Sequence, residues 1–421
     1  MNQKFYRKLD QRLQQQHQSG LWREQKTLTS PQGPLVLQQG QTEPLVNFSS
    51  NDYLSLASHP ELIDALHQGA AQFGIGSGAS HLICGHSDAH LELQTALAEW
   101  LGYESVTLFS CGYMANLAML QSLFGKSDRI VQDKLNHASL IDGARASEAE
   151  HKRFQHCSVA SLQQQLSCLS RGSSSRDSSN RGSPDKASIS RKSDDARIKA
   201  VVTDGVFSMD GDIAPLDQYL PVVNQHEAVI LVDDAHGLGV LGETGRGCKE
   251  YFNLDAQQLP ILMGTFGKAF GTAGAFVASS KTVAESFTQF ARPYIYTTAM
   301  PPALAYTTHK SLTLLQQDAE RRQRLQRNIQ LFRDIASDKG LPLMPSITAI
   351  QPVLLKQEQA CIDCAAYLKQ HGFWVGAIRP PTVANGSARL RITLNADHQP
   401  SDIERLVACL SQWWRTHRAY D

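Results

Sequence analysis

The residues able to do chemistry fall at the ends of short aliphatic runs. After VTLF comes Ser110-Cys111-Gly112-Tyr113, after AVILV comes Asp233-Asp234-Ala235-His236-Gly237, and after ILM comes Gly264-Thr265-Phe266-Gly267-Lys268-Ala269-Phe270-Gly271. In an open α/β sheet ligands bind beyond the carboxyl ends of the strands, so a turn suited to an anion, an acid, an imidazole and a lysine are placed toward one crevice. Lys268 has Gly267 and Ala269 as neighbours, which leave room around its amine. Partial desolvation at a strand end lowers an amine's pKa, and an accessible neutral amine forms an imine with a carbonyl compound. The alternative, a phosphate-gripping lysine of a nucleotide loop, requires G-x-x-x-x-G-K-[ST], and that pattern is absent because Ala269 follows Lys268.

Asp233 follows an aliphatic run, so its carboxylate falls at the end of a buried strand and needs a cationic partner. A protonated pyridinium nitrogen would serve, and an Asp in that role keeps pyridoxal phosphate working as an electron sink. His236 is close enough in sequence to reach the same ring. A metal pair or a satisfied hydrogen-bond network remains open for these two residues on their spacing alone. Gly112 allows close backbone approach, and the free N–H groups of the helix it opens favour an anion such as phosphate; an ordinary strand-to-helix turn has the same look. Two other patterns lack their context. Gly237-Leu238-Gly239-Val240-Leu241-Gly242 spells G-x-G-x-x-G but leads into Glu243-Thr244-Gly245-Arg246-Gly247 and not into a helix. Cys361-Ile362-Asp363-Cys364 spells C-x-x-C with no second Cys or His pair near it, so no metal or redox role is expected. Neither H-E-x-x-H nor G-x-S-x-G occurs.

The elements that must position these groups are legible in the same runs. SVTLF, RIVQ, IKAVVTD, AVILVDD, LPILMG and AGAFVAS alternate with helical patterns, among them Asp88 to Leu101, with Leu91, Ala98 and Leu101 on one face, and Tyr113 to Phe124. That alternation predicts a mostly parallel sheet covered by helices. Beyond Ala299-Met300-Pro301-Pro302 the pattern predicts a long polar helix from Gln316 to Ala336, strands at FWVGAI and ARLRITL, and a helix near Cys361 to Gln370, together a smaller α+β domain. Residues 170–195, dominated by Ser and Arg, contain almost nothing to bury and are expected to be a disordered surface insertion. The 421 residues carry 40 basic and 40 acidic side chains. No basic run interleaved with aromatics argues for nucleic acid or a membrane surface, and no apolar stretch approaches the roughly 20 residues of a membrane helix. Eight scattered cysteines in so large a chain point to reduced thiols and a cytoplasmic protein.

Read in order from about Asn47 to Asp397, NFSSNDYL, GSGAS with a following GH, SCGYMANLA, DKLNHASLIDGAR, DGVFSMDGDIAPL, VDDAHGLGVLGETGRG, GTFGKAFGTAGAF, YIYTTAMPP, AIRPPTV and RLRITL resemble the α-oxoamine synthase family of pyridoxal-phosphate enzymes. The resemblance implies the α/β, fold type I architecture of the aspartate aminotransferases. An N-terminal segment of residues 1–46 would precede a large domain of residues 47–300 on a mostly parallel seven-stranded sheet, with a small C-terminal domain of residues 301–421. It implies that Lys268 carries the cofactor as an imine, Asp233 pairs with the pyridine nitrogen, His236 and Ser208 lie at the phenolic oxygen, and His137 stacks on the ring. Gly112, Tyr113 and Thr265 would hold the phosphate with Thr298 of the partner subunit. Asn51 and Arg391 would grip an amino-acid carboxylate, a task suited to a planar guanidinium. Arg379 and Arg23 would meet the acyl carboxylate or the carrier's phosphates. No metal is implied.

The implied reaction is a decarboxylative Claisen condensation in a homodimer with a shared active site. The wording of AIRPPTV, RLRITL and GVFSMDGDIAPL favours L-alanine with pimeloyl-CoA or pimeloyl-acyl carrier protein. Glycine C-acetyltransferase, 5-aminolevulinate synthase and serine palmitoyltransferase-like activities are the sister alternatives, and a non-catalytic partner-binding relative is the alternative of a different class. The chain departs from the family pattern at His81, where Arg is usual, and at Val383-Ala384-Asn385-Gly386, where Val-Pro-x-Gly is usual.

Overall fold

The computed structural model describes residues 2–167 and 197–417, so the Ser/Arg-rich stretch of residues 170–195 lies outside the described residues. Seven strands form the main sheet: β1 Ser105–Phe109, β2 Arg129–Asp133, β3 Glu150–Phe154, β4 Lys199–Asp204, β5 Val229–Asp233, β6 Ile261–Thr265 and β7 Ala275–Ser279. Their order is β1-β7-β6-β5-β4-β2-β3, and only β7 runs against the others. Helices cover both faces, which is why the central strands read as continuous aliphatic runs. Val232 and Leu262 enter one core while Leu231, Ile261 and Met263 enter the other, the two-residue alternation of a pleated strand. Six of the seven strands coincide with the expected runs. The seventh, β3, has the sequence EHKRF and is largely solvent-facing at the sheet edge, where charge prevents further pairing. Its polarity hid it.

The helix Asp88–Leu101 has the expected bounds but a different inner face. Leu93, Leu97, Trp100 and Leu101 are buried, whereas Leu91 is 57% exposed. The long polar helix expected from Gln316 to Ala336 is Ala319–Asp338, started by Asp318, whose side chain accepts the Arg321 N–H; a further helix, Pro302–Gln317, precedes it and was not expected. Pro302–Gln317 packs on the helices Pro60–Phe73 and Asp88–Leu101. FWVGAI also divides: Phe373–Trp374 pairs with Leu45–Asn47, and Gly376–Ile378 joins Ala388–Thr393 and Ile350–Lys356 in a separate antiparallel sheet. Arg391 lies in the central strand of that sheet. No helix among the described residues is long and apolar enough to cross a membrane.

Lys268 stands in the connection from β6 to β7. Phe266, Phe270, Phe276 and Trp100 pack beneath it with ring centroids 5.3–6.0 Å apart in successive pairs. The turn closes by the Gly271 N–H donating to the Lys268 carbonyl at 2.9 Å and the Thr272 N–H to the Phe266 carbonyl at 2.9 Å. Gly271 has φ of +67°, and a Cβ there would overlap the backbone of Leu56 and Ala57. Both conditions exclude a side chain. Gly271→Ala is expected to cost about 1–3 kcal/mol of stability through backbone strain, read as a lower urea midpoint with an unchanged slope.

Candidate active site

The carboxyl ends of the strands open into a cavity of about 180 Å³ lined by Gly112, Tyr113, Asn116, His137, Ser139, Asp204, Ser208, Asp233, Ala235, His236, Met263, Thr265 and Lys268. Asp233 is one of its two acids. The side chain is buried, with Oδ2 accepting from Asn116 Nδ2 at 2.7 Å and Oδ1 from the Ala235 N–H at 3.0 Å. Asn116 lies one turn into the helix Gly112–Leu123, four residues beyond the glycine, and also donates to Ser139 Oγ at 2.8 Å. Beside Asp233 in register on β4 is Asp204. Burial first, and then the neighbouring Asp233, push the Asp204 carboxyl well above the ordinary carboxylate range.

Lys268 Nζ is 2.8 Å from His236 Nε2, and Tyr53 Oη is 2.5 Å from His236 Nδ1. Burial lowers the Lys268 amine to about 8 despite the opposing pull of Asp233 and Asp204. Burial, and then Lys268, Arg391 and His137, hold His236 well below the usual imidazole range, so the ring is neutral near pH 7. His137 is also lowered, chiefly by burial; it caps the helix Ala138–Ala146, and its Nδ1 pairs with Ser139 Oγ at 2.7 Å.

Arg391 and Asn51 come together from distant parts of the chain. Arg391 donates from Nη2 to Asn51 Oδ1 at 2.9 Å, from Nε to the Ser208 carbonyl at 2.6 Å and from Nη1 to Thr393 Oγ1 at 2.9 Å. Ser208 thus joins the guanidinium to the cavity it lines. Tyr113 is 41% exposed and donates to Asp142. Thr265 lies in the wall facing Gly112. Thr298 is exposed and outside the cavity lining, and its carbonyl accepts Ser110 Oγ at 3.1 Å. Arg379 donates to the Gly20 carbonyl at 3.0 Å, and Arg23 is exposed; neither lines the cavity. Gly237 and Gly247 serve Asp234, whose carboxylate leaves no space for a Cβ at either, so the G-x-G-x-x-G run is an acid-packed turn. Cys361 and Cys364 are buried in the helix Glu358–Gln370, where burial raises both thiols, Cys361 to about 12. His81 stacks on Tyr294 beside His86 and His90, away from the cavity lining.

Asn116, Ser139, Asp204 and Tyr53 escaped the sequence reading. Asn116 and Asp204 carried a signal, a polar residue one helical turn past the glycine and an acid closing the IKAVVTD run. Tyr53 had none, because its role depends on a contact 183 residues away.

The residues present fit pyridoxal 5′-phosphate. A buried carboxyl group held by two donors is matched to a protonated ring nitrogen, and an amine lies in the same cavity. A Cβ at Gly112 would stand 3.5 Å from Met263 Cε and 3.9 Å from Thr265, narrowing the cradle at the start of its helix. The model of the aminotransferase class I and II family matches residues 43–410. The chain belongs to that family, whose members are pyridoxal-phosphate enzymes. Curated relatives over nearly its whole length are 8-amino-7-oxononanoate synthases: one from Marinomonas sp. (strain MWYL1) is 50% identical over 95% of this chain and 93% of its own. Another, from Stutzerimonas stutzeri (strain A1501), is 48% identical over 96% of both. Among solved structures, a serine palmitoyltransferase from S. paucimobilis with bound PLP–myriocin superposes with TM-score 0.86 at 29% identity over 99% of both chains. The 8-amino-7-oxononanoate synthase of Francisella tularensis gives TM-score 0.74 at 30% identity over 89% of this chain and 99% of its own.

The lowered amine has a direct consequence. In the cofactor-free full chain, acylation of Lys268 by a small acid anhydride, with loss of its carboxylate, should rise with pH about a midpoint near 8, because the ammonium present below it is not nucleophilic. Competitive labelling followed by peptide mass spectrometry would measure it, and a midpoint in the ordinary lysine range would contradict the desolvated site.

Proposed function

We propose that this protein joins L-alanine to a pimeloyl thioester, of coenzyme A or acyl carrier protein, giving 8-amino-7-oxononanoate, CO2 and the free thiol in biotin synthesis. The observation that carries the reading is half-identity to 8-amino-7-oxononanoate synthases over 95% of the chain, with a lysine and a buried aspartate in one cavity and an arginine–asparagine pair joined to it through Ser208. Pyridoxal 5′-phosphate, when bound, supplies an electron sink for a carbanion at the amino acid's Cα. Asp233, oriented by Asn116 and Ala235, is placed to hold a proton on the ring nitrogen. Arg391 and Asn51 receive the alanine carboxylate and orient Cα toward Lys268. Lys268 Nζ, neutral above pH about 8, takes the Cα proton as general base. The Cα–C bond then forms at the thioester carbonyl, the thiolate leaves and takes a proton, the original carboxylate departs as CO2, and Lys268 returns a proton to Cα.

His137 is assigned to the face of the ring, His236 and Ser208 to its phenolic oxygen, and Gly112, Tyr113 and Thr265 to the phosphate with Thr298 of the partner subunit. Arg379 and Arg23 are assigned to the far end of the acyl donor. The active form is a homodimer in the cytoplasm. Supporting this, Ile75, Ile83 and Tyr296 are 85%, 79% and 72% exposed on the segments that flank the Ser80–Thr298 bridge, an apolar surface suited to a second copy.

Alanine labelled with carbon-13 at its carboxyl or at its methyl carbon decides the chemistry when supplied with pimeloyl-CoA to the cofactor-loaded protein. Mass spectrometry should find the methyl label in the aminoketone and the carboxyl label only in CO2. Preference for glycine or serine would move the protein to a sister activity, and absence of an aminoketone from any amino acid would favour a non-catalytic relative. Sedimentation of the cofactor-saturated protein should give twice the 46.4 kDa chain mass; a monomer would remove Thr298 from the phosphate site.

A further inference from the structure

Tyr53 touches the acid–base pair from outside the cavity lining. Its ring is buried, and its hydroxyl meets His236 Nδ1 at 2.5 Å and Asn51 Oδ1 at 3.4 Å, with the Arg391 guanidinium a further donor beside it. Asn51 Oδ1 also accepts from Arg391, and a carbonyl oxygen has two lone pairs for two donors. The far nitrogen of His236 is 2.8 Å from Lys268 Nζ. An unbroken path of side chains therefore runs from Lys268 through His236 and Tyr53 to Asn51 and Arg391.

The proton count along this path is restrictive. A neutral imidazole donates from one nitrogen and accepts at the other, and the tyrosine hydroxyl has one proton to give. Burial pushes Tyr53 up to about 12 and His236 down, so neither changes charge near neutrality. When Lys268 is an ammonium it can only donate to Nε2; Nδ1 then carries the ring proton and donates to Tyr53 Oη, and the Tyr53 proton must turn to Asn51 Oδ1. When Lys268 is neutral its lone pair becomes free to accept from Nε2–H; in that arrangement Nδ1 is bare, and Tyr53 donates to Nδ1. Both arrangements satisfy every group. A phenylalanine would leave Nδ1 without a partner in either.

We propose that Tyr53 is a positioning residue whose hydroxyl proton turns between Asn51 and His236, setting the tautomer of His236 to match the protonation of Lys268. Between the two states one proton leaves Lys268 Nζ for water. The ring proton is exchanged from Nδ1 to Nε2 through the hydrogen bonds at its two ends, and the tyrosine keeps one proton throughout. The other ionisable groups facing Lys268 are Asp233, Asp204, Asp234, Arg391 and His137. None of them bonds His236 Nδ1, so its partner in this structure is Tyr53. The inference deepens the proposed function, since it rests on Lys268 acting as the base, and it adds a link from the carboxylate-binding pair to that base.

The test is nitrogen-15 NMR of histidine-labelled, cofactor-free full chain on either side of the Lys268 midpoint near 8, with the His236 signals assigned by their loss in His236→Asn. The expected result is an Nδ1–H ring below the midpoint and an Nε2–H ring above it. In Tyr53→Phe, which removes only the hydroxyl, one tautomer should persist across the range. A wild-type ring that keeps one tautomer throughout would overturn the proposal, as would a phenylalanine variant that switches as the wild type does. The wild-type arm stands alone if the variant does not fold. No substrate is present, so failure here is distinct from failure of the alanine and pimeloyl reading.

Discussion

The arrangement depends on one buried acid. Asp233 ends a strand whose preceding residues are all aliphatic and whose neighbours on both sides are buried. An isolated carboxylate in such a place would protonate or destabilise the fold, so the surroundings have to supply donors and a cationic partner. Asn116 and the Ala235 N–H are the donors. The adjacent Asp204 has a single backbone donor, from His137, and burial beside Asp233 favours its neutral form. Of the two acids on neighbouring strands, Asp233 is the one held by two donors, at the position suited to a protonated ring nitrogen.

Around that acid the fold divides the work between rigid and adaptable parts. The lysine turn is immobilised by aromatic packing and by a glycine whose backbone no other residue adopts without strain. The helix beginning at Gly112 brings both an open N-terminus and Asn116 to the cavity from one element. Against this, Arg391 comes from a separate sheet and is held by a carbonyl, a hydroxyl and an amide oxygen. Those three acceptors fix its orientation, and a side chain already fixed loses less freedom on meeting any partner.

A further network outside the cavity ties the loops together. His156, after β3, is bracketed by Asp133 at 3.1 Å and Asp212 at 2.8 Å, and these carboxylates raise its imidazole to about 12 against the cost of burial. Asp133 precedes the loop carrying His137, and Asp212 lies in the loop carrying Ser208. The imidazolium accordingly fastens together two loops that line the site. Its effect is structural, because each ring nitrogen already has a carboxylate partner.

Much was legible from local chemistry. Aliphatic runs gave six of the seven main strands, and the residues after them gave Gly112, Asp233, His236, Thr265 and Lys268, because a buried strand must be continuous and its end is where polar groups can appear. The ordered motifs marked the family, which the 50% identity to curated relatives bears out. What local pattern could not provide were contacts between distant segments. The polar edge strand β3 looks like a loop until β2 pairs with it. Leu91 fits a helical stripe yet faces solvent, since the inner face is set by what packs against it. Asn116 against Asp233, Arg391 against Asn51 and Tyr53 against His236 join positions 117, 340 and 183 residues apart. Sequence by itself determined which groups were available and which strand ends would present them; only the tertiary structure decided which would touch, because hydrogen bonding and desolvation act over a few ångströms of space and not along the chain.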